Sequence, residues 1–90
     1  MQQNNGMSRA AAYRVLIRRG VSALPVHPLE ILSACRNTVV WADVTAAEQL
    51  KIPREALLGQ LANAEAITFR QTIQGETRFI VVYREGGNPA

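Results

Sequence analysis

The sequence predicts an α+β fold, and three observations carry that expectation. Apolar residues recur at helical spacing over residues 9–19 and again over 46–63, while β-branched and aromatic residues gather at 38–43. The last third then changes to a period of two. The expected order is two N-terminal helices, a strand, two short helices and a C-terminal β-hairpin, giving a small, mostly antiparallel sheet. Ninety residues suit one domain. The expected division is a loose polar tail at 1–8, a single α+β domain at 9–85 and a C-terminal loop end at 86–90.

Ser8 precedes the first helical pattern and can accept a bond from a backbone N–H two or three residues on. Ala12, Val15, Leu16 and Arg19 then share a side, and Gly20 supplies the left-handed turn that ends helices. Pro25 and Pro28 push the residues before them away from helical angles, so 21–28 is an extended connector. Pro28 sits well at a helix start because its missing N–H costs nothing there. A second helix is expected over 28–36, with Asn37 as its stop.

Thr38-Val-Val-Trp-Ala-Asp43 reads as a strand. Thr45-Ala-Ala-Glu48 has the form of a capping box, predicting a short helix over 46–51. Pro53 opens another helix to about 63; Gly59 within it weakens it by about 1 kcal/mol relative to alanine. Ile67, Phe69, Gln71 and Ile73 alternate with Ala66, Thr68, Arg70 and Thr72. Gly75 supplies the positive φ of a tight turn into a strand from Thr77 to Tyr83. Phe79-Ile-Val-Val-Tyr83 is apolar on both faces, which places that strand at the centre of its sheet.

Composition limits what the chain can do. Apolar residues make 48% and charged residues 19%, a balance that argues for a packed core over disorder. No apolar run approaches the roughly 20 residues that span a bilayer, and the first residues form no signal-peptide core. The single cysteine, Cys35, permits no internal disulfide, which fits a reducing compartment and a cytoplasmic location. Its apolar neighbours read it as a core residue rather than a reactive thiol. The net charge of +3 lies in the first half, where Arg9, Arg14, Arg18, Arg19 and Arg36 outnumber Glu30 and Asp43. A basic helix can meet nucleic acid or an acidic partner; the alternative, which is the expectation, is a solvated helix face.

The residues do not make a catalytic or metal site. One histidine and one cysteine are too few for a zinc site, which takes three or four side-chain ligands. Cys35, His27 and Asp43 supply a thiol, a base and an acid, but nothing in their spacing marks a triad. Gly86-Gly87 lacks the strand, helix and lysine of a phosphate loop. Residues 46–61 can be read as helix, turn, helix, with Arg54 and Gln60 toward a DNA groove. The alternative is two short helices packed on a sheet, and the sparse basic residues favour it, so a nucleic-acid partner is not the expectation.

Two stretches carry a family resemblance. Ala11-Ala-Tyr-Arg-Val-Leu-Ile-Arg-Arg-Gly-Val-Ser-Ala-Leu-Pro-Val-His-Pro-Leu-Glu-Ile-Leu32 resembles the opening of ImmA/IrrE-type zinc metallopeptidase domains: a helix, a Leu-Pro-Val-Asp-Pro-like connector and a second helix. Ala66-Ile-Thr-Phe-Arg-Gln-Thr-Ile-Gln-Gly-Glu-Thr-Arg-Phe-Ile-Val-Val-Tyr-Arg-Glu85 resembles the hairpin that precedes the His-Glu-x-x-His helix of that family. His27 stands where the family more often has Asp, so the helix cap there is weaker or sensitive to protonation.

The resemblance implies that a whole domain of this type cleaves a regulatory protein, often a helix-turn-helix repressor of a phage or other mobile element. It also implies that the zinc-binding helix belongs just beyond residue 90. In that helix two histidines share a face and bind zinc while the glutamate activates water. No position of this sequence matches it. The expectation is therefore a scaffold that holds no cofactor and is inactive alone. It would carry an exposed apolar face beside the last strand, open to a repressor, a second copy or the catalytic helix. The candidate partner contacts are Arg14, Arg18 and Arg19 on the first helix, with Arg78 and Tyr83 on the last strand. The other reading is a small regulatory binding module, contacting protein or, through residues 45–62, DNA.

Overall fold

A computed structural model describes residues 8–22, 26–33 and 37–85. Helix α1 spans Arg9–Arg18, and the Ser8 hydroxyl accepts from the Ala11 N–H at 3.1 Å, as the sequence predicts. Gly20 ends it with φ 74°, and a Cβ there would lie 3.2 Å from the Thr72 carbonyl oxygen. The position thus requires glycine both for its angle and for its closeness to the sheet. Val21 bridges to Gln71, Ser22 donates to the Arg70 carbonyl at 2.7 Å, and Val26 donates to the Thr68 carbonyl at 3.1 Å. Val21, Ser22 and Val26 therefore lie along an edge of the sheet and satisfy groups that would otherwise invite another chain.

Helix α2 covers Pro28–Ser33. The expected continuation to residue 36 falls outside the described residues, as does Cys35. The Leu29 N–H donates to His27 Nδ1 at 3.1 Å, so the histidine ring caps this helix in place of a carboxylate. Strand β1 (Thr38–Ala42) leads directly into helix α3 (Asp43–Leu50). The capping-box expectation fails here. Helix α3 starts at Asp43 rather than at 46, its N-cap Ala42 makes no side-chain cap bond, and Thr45 and Glu48 lie inside the helix. Asp43 takes over the terminus, because a buried carboxylate in the first turn complements the helix dipole.

Helix α4 (Arg54–Gln60) follows, then strands β2 (Ala66–Ile73) and β3 (Glu76–Tyr83). The sheet order is β1-β3-β2, so β3 is central, as its apolar run predicts. The sheet is mixed. β2 pairs antiparallel with β3 from Ala66↔Tyr83 to Ile73↔Glu76, while β1 pairs parallel with β3. The parallel pair is possible because α3, α4 and β2 intervene between the two strands and return the chain to the starting end. Gln74 and Gly75 join β2 to β3 with φ 53° and 82°, the two positive angles of a tight two-residue turn.

One sheet face carries the core. Val39 and Trp41 of β1, Ile80 and Val82 of β3, and Ile67 and Phe69 of β2 meet Ala12 and Leu16 of α1 and Ala56, Leu57 and Leu61 of the α4 region. Each fully buried Leu, Ile or Phe contributes about 1.5–3 kcal/mol. A Cβ on Gly59 would stand 3.6 Å from Ala12 Cβ, so the glycine marks the close approach of α4 to α1. The opposite sheet face is only partly covered. Arg70 on that face pairs with Glu30 of α2 at 3.1 Å, yet Val40 is 62% exposed and Tyr83 46%.

Candidate functional site

Three of the five predicted contact residues converge. Arg18 and Arg19 end α1, Lys51 ends α3, and Arg78 rises from β3; together they line a cavity of about 390 Å³. Both helices run toward this cavity with their C-terminal ends. No carboxylate lines it among the described residues. An adjoining depression shares Gln71 and Arg78 and adds Asn37, Gln74 and Glu76.

The placement of Arg78 is fixed by two contacts, one of them itself anchored to α1. Its Nε donates to Gln71 Oε1 at 2.9 Å, and Gln71 Nε2 donates to the Arg19 carbonyl at 3.1 Å. Gln71 is nearly fully buried, so it acts as a rigid link between β2, β3 and the end of α1. The guanidinium also lies 5.0 Å from the centroid of the Trp41 ring, within cation–π range. Among the described residues the ion pairs are Arg54–Asp43 and Arg70–Glu30, so Arg18, Arg19, Lys51 and Arg78 have no acidic partner.

Lys51 has backbone angles φ 57° and ψ 48°, the left-handed region where helix ends usually place glycine. A lysine there carries a backbone cost of order 1 kcal/mol and points a cation at the cavity rim.

Arg14 lies one turn back along α1, exposed and outside the cavity lining. Tyr83 is on the other sheet face, paired with Ala42, and does not belong to this site. Leu29 and Leu32 of α2 are 67% and 70% exposed. The partner-contact candidates therefore split between a basic cavity and an open apolar face.

Sequence reasoning missed Lys51 and Gln71. Gln71 did leave a signal: a polar residue shares the inward register with Ile67 and Phe69 and is buried, so it must find hydrogen-bond partners. Lys51 left none beyond its place before Ile52-Pro53.

The other chemical candidates come apart. Asp43 is fully buried and accepts from Arg54 Nε at 2.6 Å and from the Glu85 N–H at 2.7 Å. Burial raises its pKa, but the Arg54 guanidinium and the Glu85 and Val44 amides outweigh that and hold it below the ordinary 3.8. The carboxylate is thus committed to structure, and His27 is spent on capping α2. Gln60, offered as a groove reader, is buried, and Arg54 is engaged by Asp43. Among the described residues no three His, Cys, Asp or Glu side chains gather at a metal's reach, and no helix is long and apolar enough to cross a membrane.

The chain matches no protein-family model, and neither curated proteins nor solved structures show a significant similarity to it.

Proposed function

We propose that this chain is a non-catalytic scaffold of the kind that forms the front of an ImmA/IrrE-type metallopeptidase domain. It acts in the cytoplasm and in the regulation of transcription. Its role is to present the outer face of the sheet to a zinc-binding helix. Zinc and the cleavage of a regulatory protein, such as a helix-turn-helix repressor, come with that helix. The observation that supports this reading is the open face of β1 and β3, where Val40 and Tyr83 stand exposed beside the partly buried Val81. Isolated exposed apolar residues are ordinary, but a β-branched residue in a sheet face opposite a core-facing strand is a place where another layer packs. The arrangement of two helices, a strand, two helices and two paired strands also accommodates both stretches that carry the resemblance.

The gene read through and past codon 90 tests this. An in-frame His-Glu-x-x-His segment, or one in the adjoining reading frame, is the expected result. Co-expressed with residues 1–90, that segment should bind zinc and slow hydrogen exchange across β1 and β3. Val40→Glu should abolish the association without unfolding the domain, since Val40 is exposed. A locus with no such segment, or a segment that leaves β1 and β3 unprotected, sinks the reading.

A further inference from the structure

We propose that the cavity between the ends of α1 and α3 and the β2–β3 turn region binds a small, multiply charged anion of phosphate chemistry, such as a diphosphate. This inference is independent of the scaffold reading, which concerns the opposite face of the sheet.

Four cations converge on the cavity: Arg18, Arg19, Lys51 and Arg78. Basic residues at helix ends have a structural use, because each helix C-terminus carries roughly half a negative charge. Two such ends account for about one of the four positive charges. Glu76 in the adjoining depression offsets another. About two positive charges therefore remain with no partner among the described residues. Holding like charges together without a counter-ion is unfavourable. A dianion placed among them removes that cost.

Geometry favours an anion with planar or tetrahedral oxygens. Arg78 is pre-oriented by Gln71 and Trp41, and its Nε is already used, which leaves its two terminal nitrogens as the donors for a ligand. A guanidinium held in that way meets a phosphate through two parallel hydrogen bonds. Because Gln71 also binds the Arg19 carbonyl, the guanidinium is set in a fixed relation to the end of α1. Lys51 occupies its left-handed conformation in spite of the backbone cost, and its flexible ammonium closes the rim. The cavity volume of about 390 Å³ suits a small molecule. Among the described residues its lining includes no aromatic side chain, so a stacked base has no platform. A strand of nucleic acid is the less favoured occupant for that reason, and because the cations converge instead of forming a track.

The test is calorimetric titration of the 90-residue chain with inorganic pyrophosphate at low salt. Saturable one-to-one binding is expected. Arg78→Gln should weaken it on the order of tenfold or more, since a bidentate contact is lost. Lys51→Gly should weaken it severalfold while leaving the fold at least as stable, because glycine relieves the left-handed backbone. That second variant separates loss of a ligand contact from loss of structure. Arg9→Gln, at the far end of α1, should bind as the parent does. Absence of saturable binding overturns the proposal, and so does equal weakening by Arg9→Gln. A short DNA duplex that binds, with the same two variants defective, while pyrophosphate does not, overturns it in favour of nucleic acid.

Discussion

Removing Asp43 should cost this domain a large share of its stability. The side chain is fully buried and joins three elements: it lies in the first turn of α3, accepts from Arg54 at the start of α4 at 2.6 Å, and accepts from the Glu85 amide just beyond β3 at 2.7 Å. Hydrogen bonds to a charged group contribute about 1.5–3 kcal/mol each when made. Two features reduce that figure for Asp43→Ala. The Arg54 side chain is 46% exposed, so water can replace its lost partner, and Glu85 is also exposed. The small cavity left behind adds to the loss. The expected destabilisation is about 2–3 kcal/mol. Against a total of roughly 5–13 kcal/mol for a chain of this length, that lowers the urea midpoint markedly. Trp41, the single tryptophan and part of the core, reports the transition by fluorescence.

The sign of the pH effect follows from the lowered pKa. Burial opposes ionisation of Asp43, but Arg54 and the amides prevail, so the folded state holds the proton less tightly than the unfolded chain does. Its stabilisation is present above the unfolded value, near 3.9, and is lost as pH falls through the folded pKa. Asp43→Asn should therefore flatten the acid limb of the stability curve, and Arg54→Ala should shift that limb to higher pH. The double variant should show coupling of about 1–2 kcal/mol. A loss below about 0.5 kcal/mol in Asp43→Ala, or an unchanged acid limb in Asp43→Asn, refutes the assignment of this carboxylate as a structural tie.

Substitutions at three further positions test the packing and turns. Gly59→Ala should raise stability by about 0.5–1 kcal/mol, seen as a higher Tm, because alanine favours the helix and its methyl meets Ala12 Cβ at an ordinary 3.6 Å. A lower Tm would show that α1 and α4 cannot admit the methyl. Gln74→Asn should stabilise by a few tenths of a kcal/mol in urea titration, since asparagine tolerates the positive φ of 53° better than glutamine. Arg84→Ala should cost about 1–2 kcal/mol in the same assay, because the Arg84 guanidinium donates to the Leu61 and Ala64 carbonyls at the end of α4. Arg84→Lys should recover part of the loss, because both bonds come from one terminal nitrogen, Nη2, and an ammonium also carries more than one donor.

The fold was legible wherever a local rule operated alone. Ser8, Gly20, Pro28 and Gly75 each mark a terminus or turn through the chemistry of one residue, and the apolar run of β3 identifies the central strand, with a neighbour on each edge. The boundary between β1 and α3 was not legible, because two local signals competed. Thr45 and Glu48 satisfy the pattern of a capping box, yet helix α3 begins at Asp43. What decides the matter is tertiary: Asp43 meets Arg54, eleven residues on, and the Glu85 amide, forty-two residues on. The basic cavity was half visible for the same reason. Arg18 and Arg19 are neighbours and announce themselves as a basic helix end, but Lys51 and Arg78 join them only when α3 and β3 are packed beside α1. The one trace in the sequence is Gln71, a polar side chain at an inward position of an apolar alternation. Such a residue must be paired within the fold, and the pairs it makes, to Arg78 and to the end of α1, are the ones that build the site.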